Sequence, residues 1–190
     1  MVQIFLSASI PLPEQDRRLF ETADVLAIRE AIKALVEVVL PAGGITCGGH
    51  PAITPLLSFF CREFELGRSR ITVFQSRFFE NAFPPSVSDF SDVRLTEAIA
   101  GDRDSSLTRM RREMISSRRF DAAVVVGGMD GIFEEVALFK EFHPRKPIFP
   151  IASTGAAAEI VFKEGNYTPD LAHELTYPSL FRRKLLHLGS

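Results

Sequence analysis

The chain has 190 residues, 46% hydrophobic and 24% charged, with a formal net charge of −2 at pH 7, which suits one globular domain able to build a core without metals or disulfides. The acidic balance argues against a general nucleic-acid binder, and no apolar stretch approaches the roughly eighteen residues of a membrane span. Two cysteines, Cys47 and Cys61, make neither a disulfide framework nor a zinc cluster, and the short run Val2–Leu6 lacks the length and basic lead of a signal peptide, so the expected setting is reducing and cytoplasmic.

Val2–Leu6 reads as a buried strand that ends in the polar loop Ser7–Pro13. Thr22 is the expected cap of a helix whose stripe is Val25, Ile28, Ile32, Leu35 and Val39, stopped by Pro41 and Gly43-Gly44. Ile45-Thr46-Cys47 is a minimal strand broken by Gly48-Gly49-His50-Pro51. Thr54 is the expected N-cap of a helix with Pro55 at its first position, running to about Leu66 and closed by Gly67. Arg70–Gln75 is the third strand. Residues 76–104 mix phenylalanine and proline with Ser, Asp and Asn, and are expected to form an irregular lid or binding loop. Ser106 is the expected cap of a helix through Ser117, with Leu107, Met110 and Met114 on one face. Asp121–Val126 is apolar throughout, as at the centre of a parallel sheet. A helix over 132–142, a strand over 147–151 and a helix over 155–163 follow, and Ser179–His187 is a last helix. Residues 165–190 could be an appendage or an assembly element, or could dock on the same domain.

Strand and helix alternate, so the predicted fold is α/β: a three-layer, Rossmann-like open parallel sheet with helices on both faces. In such a sheet ligands bind outside the carboxyl ends of the strands. Three strand ends there carry distinctive residues. Ser7-Ala8-Ser9 offers hydroxyls to phosphate or ribose, or forms a plain polar loop. Gly48-Gly49-His50 precedes a helix start, so its backbone N–H groups could approach an anion, or its glycines could serve only a tight turn. His50 could bond phosphate or be structural. Gly127-Gly128-Met129-Asp130-Gly131 leads into a helix whose first turns hold Glu134 and Glu135. Those carboxylates could favour the helix dipole, hold ribose hydroxyls, or act as acid or base.

Six arginines and no lysine lie between 103 and 119, and guanidinium grips phosphate in a fork that ammonium cannot match. On a helical wheel Arg111 lies about 40° from the Leu107–Met110–Met114 stripe and Arg112 about 140°. An arginine beside a buried stripe needs a partner, which favours Arg111. Cys47, at the end of a buried strand, reads as a small core residue. The four histidines are scattered, so neither a metal nor a cofactor is expected.

The run Met110-Arg111-Arg112-Glu113-Met114, the strand Ala122–Val126, and Gly-Gly-x-x-Gly-x-x-Glu-Glu over 127–135 resemble the LOG family. These lysine-decarboxylase-like proteins are phosphoribohydrolases that release cytokinin-type bases from nucleotides. They belong to the wider SLOG superfamily of Rossmann-like nucleotide binders. Phe5–Pro11 and Gly48-Gly49-His50-Pro51-Ala52-Ile53-Thr54-Pro55 look closer to SLOG domains found beside or fused to TIR domains in bacterial antiphage systems. The resemblance covers roughly residues 2 to 163. It departs from the LOG hallmark Pro-Gly-Gly-x-Gly-Thr-x-x-Glu at three points. Val126 replaces the proline, Asp130 is an extra residue, and Ile132 replaces the phosphate-binding threonine. With Asp130 as the insertion, Glu135 falls on the catalytic glutamate. Counting back from Asp121 puts the catalytic arginine at Arg112, while the subgroup's Met-Arg-x-x-Met pattern puts it at Arg111.

The resemblance implies a sensor that binds a nucleotide or NAD-derived ligand such as ADP-ribose, with the 76–104 lid ordering on binding. It implies a TIR-type or other effector as partner and assembly into homo-oligomers. The alternatives are a nucleoside monophosphate phosphoribohydrolase using Glu135 and an arginine, or an interaction subunit with a vestigial pocket.

Overall fold

The protein is described by a computed structural model covering residues 1–189. Its strands are β1 (Val2–Ser9), β2 (Gly43–Gly48), β3 (Ile71–Ser76), β4 (Asp92–Thr96), β5 (Ala122–Gly127) and β6 (Ile148–Ile151). All pair in parallel, in the order β4-β3-β2-β1-β5-β6. The helices are α1 (Arg17–Thr22), α2 (Val25–Val39), α3 (Thr54–Glu63), α4 (Arg103–Ser116), α5 (Gly131–Phe142), α6 (Ala156–Glu164), α7 (Asp170–His173) and α8 (Tyr177–Leu185). This is the α/β, Rossmann-like open sheet that the strand–helix alternation predicts.

The apolar strands are continuous because both faces are covered, and successive side chains divide between two cores. Ile4, Leu6, Ile45, Cys47, Val124 and Val126 face α2, α3 and α8. Phe5, Phe74, Ala123 and Val125 face α4, α5 and α6. Of the predicted α2 stripe, Ile28, Ile32, Leu35 and Val39 have no exposed surface, each side chain contributing about 1.5–3 kcal/mol by burial, whereas Val25, in the first turn, is exposed. Among the described residues no helix is long and apolar enough to cross a membrane.

The helix starts depart from expectation in a consistent way. Asp24 caps α2, accepting from the Ala27 N–H at 2.9 Å. The expected cap, Thr22, instead ends α1, a helix the apolar periodicity does not reveal, itself capped by Asp16. Asp102 caps α4 through the Ser105 N–H at 2.9 Å. Ser106 lies inside the first turn and donates its hydroxyl to the Asp102 carbonyl at 2.6 Å. The Thr54 hydroxyl bonds back to the His50 carbonyl at 2.7 Å, with Ile53 at the cap position. In α3 and α4 a hydroxyl within the first turn finds a carbonyl four residues back, while in α2 and α4 an aspartate takes the orphan N–H groups.

Residues 76–104 are not one irregular lid. They hold two short 3-10 turns, Arg77–Ala82 and Pro85–Asp89, and the edge strand β4. β4 pairs only with β3 and is half-exposed, so it lacks the apolar run that marks the inner strands. At the other end of the chain, α8 packs on α2 of its own domain. Leu180, Phe181 and Leu185 are fully buried, and Arg182 meets Glu37 at 2.7 Å.

Candidate functional site

The chain steps outward from β1 to β4, then crosses the sheet to β5 on the other side of β1. Strand order therefore reverses at the β1/β5 pair, where an open sheet leaves a crevice. A cleft of about 890 Å³ lies there. Ala8, Ser9, Gly48, Gly49, His50, Arg111, Met129, Asp130, Gly131, Glu134 and Glu135 all line it. Ser7, Gly127 and Gly128 are buried behind it.

The β1 hydroxyls are engaged within the protein. Ser7 Oγ donates to Glu135 Oε2 at 2.5 Å. Ser9 Oγ accepts from the Met129 N–H at 2.9 Å, and the Ser9 carbonyl accepts from the Gly128 N–H at 2.8 Å. Together these two bonds moor the β5–α5 loop to β1.

The Gly48-Gly49-His50 turn is not an anion cradle. The Gly49 N–H donates to the Phe74 carbonyl at 2.9 Å and the His50 N–H to the Gly48 carbonyl at 3.0 Å. The Ala52 N–H donates to His50 Nδ1 at 3.1 Å, and the Thr54 N–H to the His50 carbonyl at 3.0 Å. Its donors are spent closing the turn, because the chain must reverse tightly between β2 and α3. What the turn offers the cleft is His50 itself. With Nδ1 accepting, the ring proton sits on Nε2, a neutral donor. Burial pushes the His50 pKa down to about 4.

That shift has a consequence for stability. A histidine whose folded pKa lies below its unfolded value stabilises the fold fully above about pH 6.5, and this contribution is lost as pH falls toward 4. The upper bound is roughly 3 kcal/mol. Denaturant titrations of the wild type and a His50→Asn variant from pH 7.5 to 4.5 are expected to show the wild type losing its advantage on the acid side. A constant difference across that range contradicts a His50 held neutral.

The β5–α5 loop differs from the β2–α3 turn. Gly127 and Gly128 have φ of +57° and +106°, and a Cβ on Gly127 would stand 2.5 Å from Ile28 Cδ1 and 2.9 Å from the Ser9 carbonyl oxygen. Past the bonds to Ser9, the N–H groups of Asp130 and Gly131 have no hydrogen-bond partner among the described residues. They open α5, whose N-terminus carries about half a positive charge. Gly131 also lets Arg111 approach, since a Cβ there would stand 2.4 Å from Arg111 Nη2.

Arg111, carried in by α4, is only 15% exposed. Its Nη1 pairs with Glu134, and its Nε lies 3.7 Å from Glu135 Oε1, buried and without a hydrogen-bond partner. Arg112 points elsewhere, 3.1 Å from Glu141 and over the Phe142 ring. Of the two arginines the sequence leaves open, Arg111 is the one in the cleft, on the side of α4 that the helical wheel favours. Burial pushes the Glu135 carboxyl above the usual carboxylate range, against the lowering pull of the Ser7 hydrogen bond and the Arg111 charge.

The segment expected to form a lid or binding loop supplies another wall: Phe79, Phe83 and Pro84 line the cleft together with Leu107 of α4, and Arg103 lies 3.0 Å from Asp104 and over the Phe79 ring. Gln75, buried at the end of β3, donates to the Gly49 carbonyl at 3.0 Å and completes the floor. The phenylalanines were visible in the sequence, but their place in the cleft wall depends on how residues 77–90 pack between β3 and β4. Among the described residues no group of three or more His, Cys, Asp or Glu is placed to hold a metal ion.

No curated protein matches the chain. The crystal structure of TM1055, a structural genomics target, aligns with a TM-score of 0.60 at 15% identity, over 97% of this chain and 99% of that one. This likeness concerns the fold. A family model described as the SLOG cluster3 family matches residues 18–185; the chain belongs to that family.

Proposed function

We propose that the cleft binds a nucleotide-derived ligand, of the ADP-ribose or nucleoside monophosphate kind. Its phosphate would sit at the start of α5, its base against the aromatic wall, and its ribose near His50 and Glu135. The observation that carries this is the buried Arg111 Nε without a hydrogen bond, beside the N–H groups of Asp130 and Gly131, which have no partner among the described residues. An anion placed there gains three donors and a helix N-terminus. Family membership supports a nucleotide-related function in general terms. Within it, the Gly-Gly-His-Pro-Ala-Ile-Thr-Pro string favours a sensor domain in a bacterial antiphage signalling system, acting on a TIR-type or other effector, with ligand binding shifting an oligomer equilibrium.

A second reading, phosphoribohydrolysis, is favoured by Glu135. Its carboxyl is held by Ser7 on one oxygen, faces Arg111 with the other, and is raised in pKa by burial. A carboxylate so placed could stabilise an oxocarbenium-like sugar or direct water onto it.

Thermal-shift screening against AMP, ADP, NAD, ADP-ribose and cyclic ADP-ribose, with chromatography of each mixture, separates the two. Stabilisation with intact ligand is the sensor's result. Released base that disappears in Glu135→Gln, with binding retained, is the enzyme's. No shift with any of these nucleotides counts against both.

A further inference from the structure

We propose that Glu134 is an internal competitor for the phosphate seat, a carboxylate that holds Arg111 until a ligand anion replaces it, and so sets the affinity of the site. The inference rests on reading the start of α5 as that seat. Three charged groups meet there, and they are not equally fixed. Arg111 and Glu135 are each 15% exposed, whereas Glu134 is 33% exposed. Glu135 is tied on its far oxygen by Ser7. Glu134 has Arg111 as its one side-chain partner among the described residues. It is the member of the trio that can turn to solvent without leaving a buried charge behind.

The arrangement leaves work for another anion. Glu134 takes Nη1, yet Nε, 3.7 Å from Glu135 Oε1, makes no hydrogen bond, and the Asp130 and Gly131 N–H groups stay unused among the described residues. The guanidinium lies on the positive end of α5, against Gly131. A tetrahedral oxyanion can face the fork and both N–H groups together, which a side chain rooted one turn along the same helix does not. With Glu134 in place, however, Arg111 is already neutralised, and an arriving phosphate meets a carboxylate. The apparent affinity falls by the fraction of time the seat is self-occupied.

The test is titration of inorganic phosphate and of AMP into the wild type, Glu134→Gln, Glu134→Ala and Arg111→Ala, followed by amide chemical shifts. Thermal unfolding of each without added anion checks that the variants fold. Both Glu134 variants are expected to bind phosphate about tenfold more tightly than the wild type, and Arg111→Ala to lose it. Phosphate affinity unchanged or weaker in folded Glu134 variants, with the Arg111→Ala loss still present, overturns the competitor role and leaves the seat standing. Weaker AMP binding with unchanged phosphate binding assigns Glu134 to the ribose and also overturns it. If Arg111→Ala binds both anions as the wild type does, the phosphate seat itself falls, and this inference with it.

Discussion

Replacing Arg111 by alanine is expected to weaken nucleotide binding by about 30- to 100-fold, the loss of a charge-assisted contact worth about 2–3 kcal/mol. The guanidinium reaches the start of α5, and its Nε has no hydrogen-bond partner among the described residues. Arg111→Lys keeps the charge but not the fork, so its loss should be intermediate. Folding should survive, because Glu135 keeps its Ser7 hydrogen bond and can take up a proton, and Glu134 reaches solvent. Isothermal calorimetry with AMP and ADP-ribose, alongside unfolding of the free protein, separates the two effects. Arg112→Ala serves as the control on the same helix: its partner Glu141 is exposed, and such pairs contribute at most about 1 kcal/mol. Equal loss of binding in the two variants is the outcome that removes the phosphate from Arg111.

Gly155→Ala is expected to be the most destabilising single methyl group in the protein, at about 3–5 kcal/mol, or roughly 10 °C in the unfolding midpoint. Gly155 has φ +69° and ψ −158°, a region essentially reserved for glycine. A Cβ there would stand 1.8 Å from the Thr22 carbonyl oxygen, and a backbone atom cannot swing aside as a side chain would. The damage would reach the site. The neighbouring Thr154 hydroxyl accepts the Gly127 N–H at 2.8 Å, and the Ala157 N–H donates to the Gly128 carbonyl at 3.3 Å. The β5–α5 loop is therefore braced from this turn. Gly67→Ala is the comparison, since its Cβ would meet nothing closer than the Ser69 hydroxyl at 3.6 Å. Thermal unfolding of both measures the difference, and a Gly155→Ala midpoint within a degree or two of the wild type excludes the steric argument.

The elements that sequence reading located are those whose signal is local. The α2 stripe, the β5 run and the double-glycine loop each bury a periodic or continuous set of side chains, so their patterns survive in one dimension. α1 and β4 escaped because they are short and lie at the margins of the fold. Most of their residues are partly or fully exposed, with only Leu19 and Thr96 buried, and nothing in their hydropathy sets them apart from loops. The three helix caps were misplaced for a related reason. Serine, threonine and aspartate all compete for the first turn, and the winner depends on where the preceding chain arrives.

The site divides along the same line. From residue types and spacing alone came the α/β sheet, the three candidate strand ends of β1, β2 and β5, the glutamates at the head of α5, and, by helical phase, a preference for Arg111 over Arg112 that spacing left open. The tertiary structure decided the rest. It showed that the Gly49 and His50 N–H groups are spent, whereas those of Asp130 and Gly131 are not. It also paired Arg111 with Glu134, hung Glu135 from Ser7, and brought Phe79 and Phe83 into the same cleft. Hydropathy and periodicity record which way a side chain faces within its own element. Whether a donor is already satisfied depends on atoms from strands and helices distant in sequence, which meet only when the sheet is assembled.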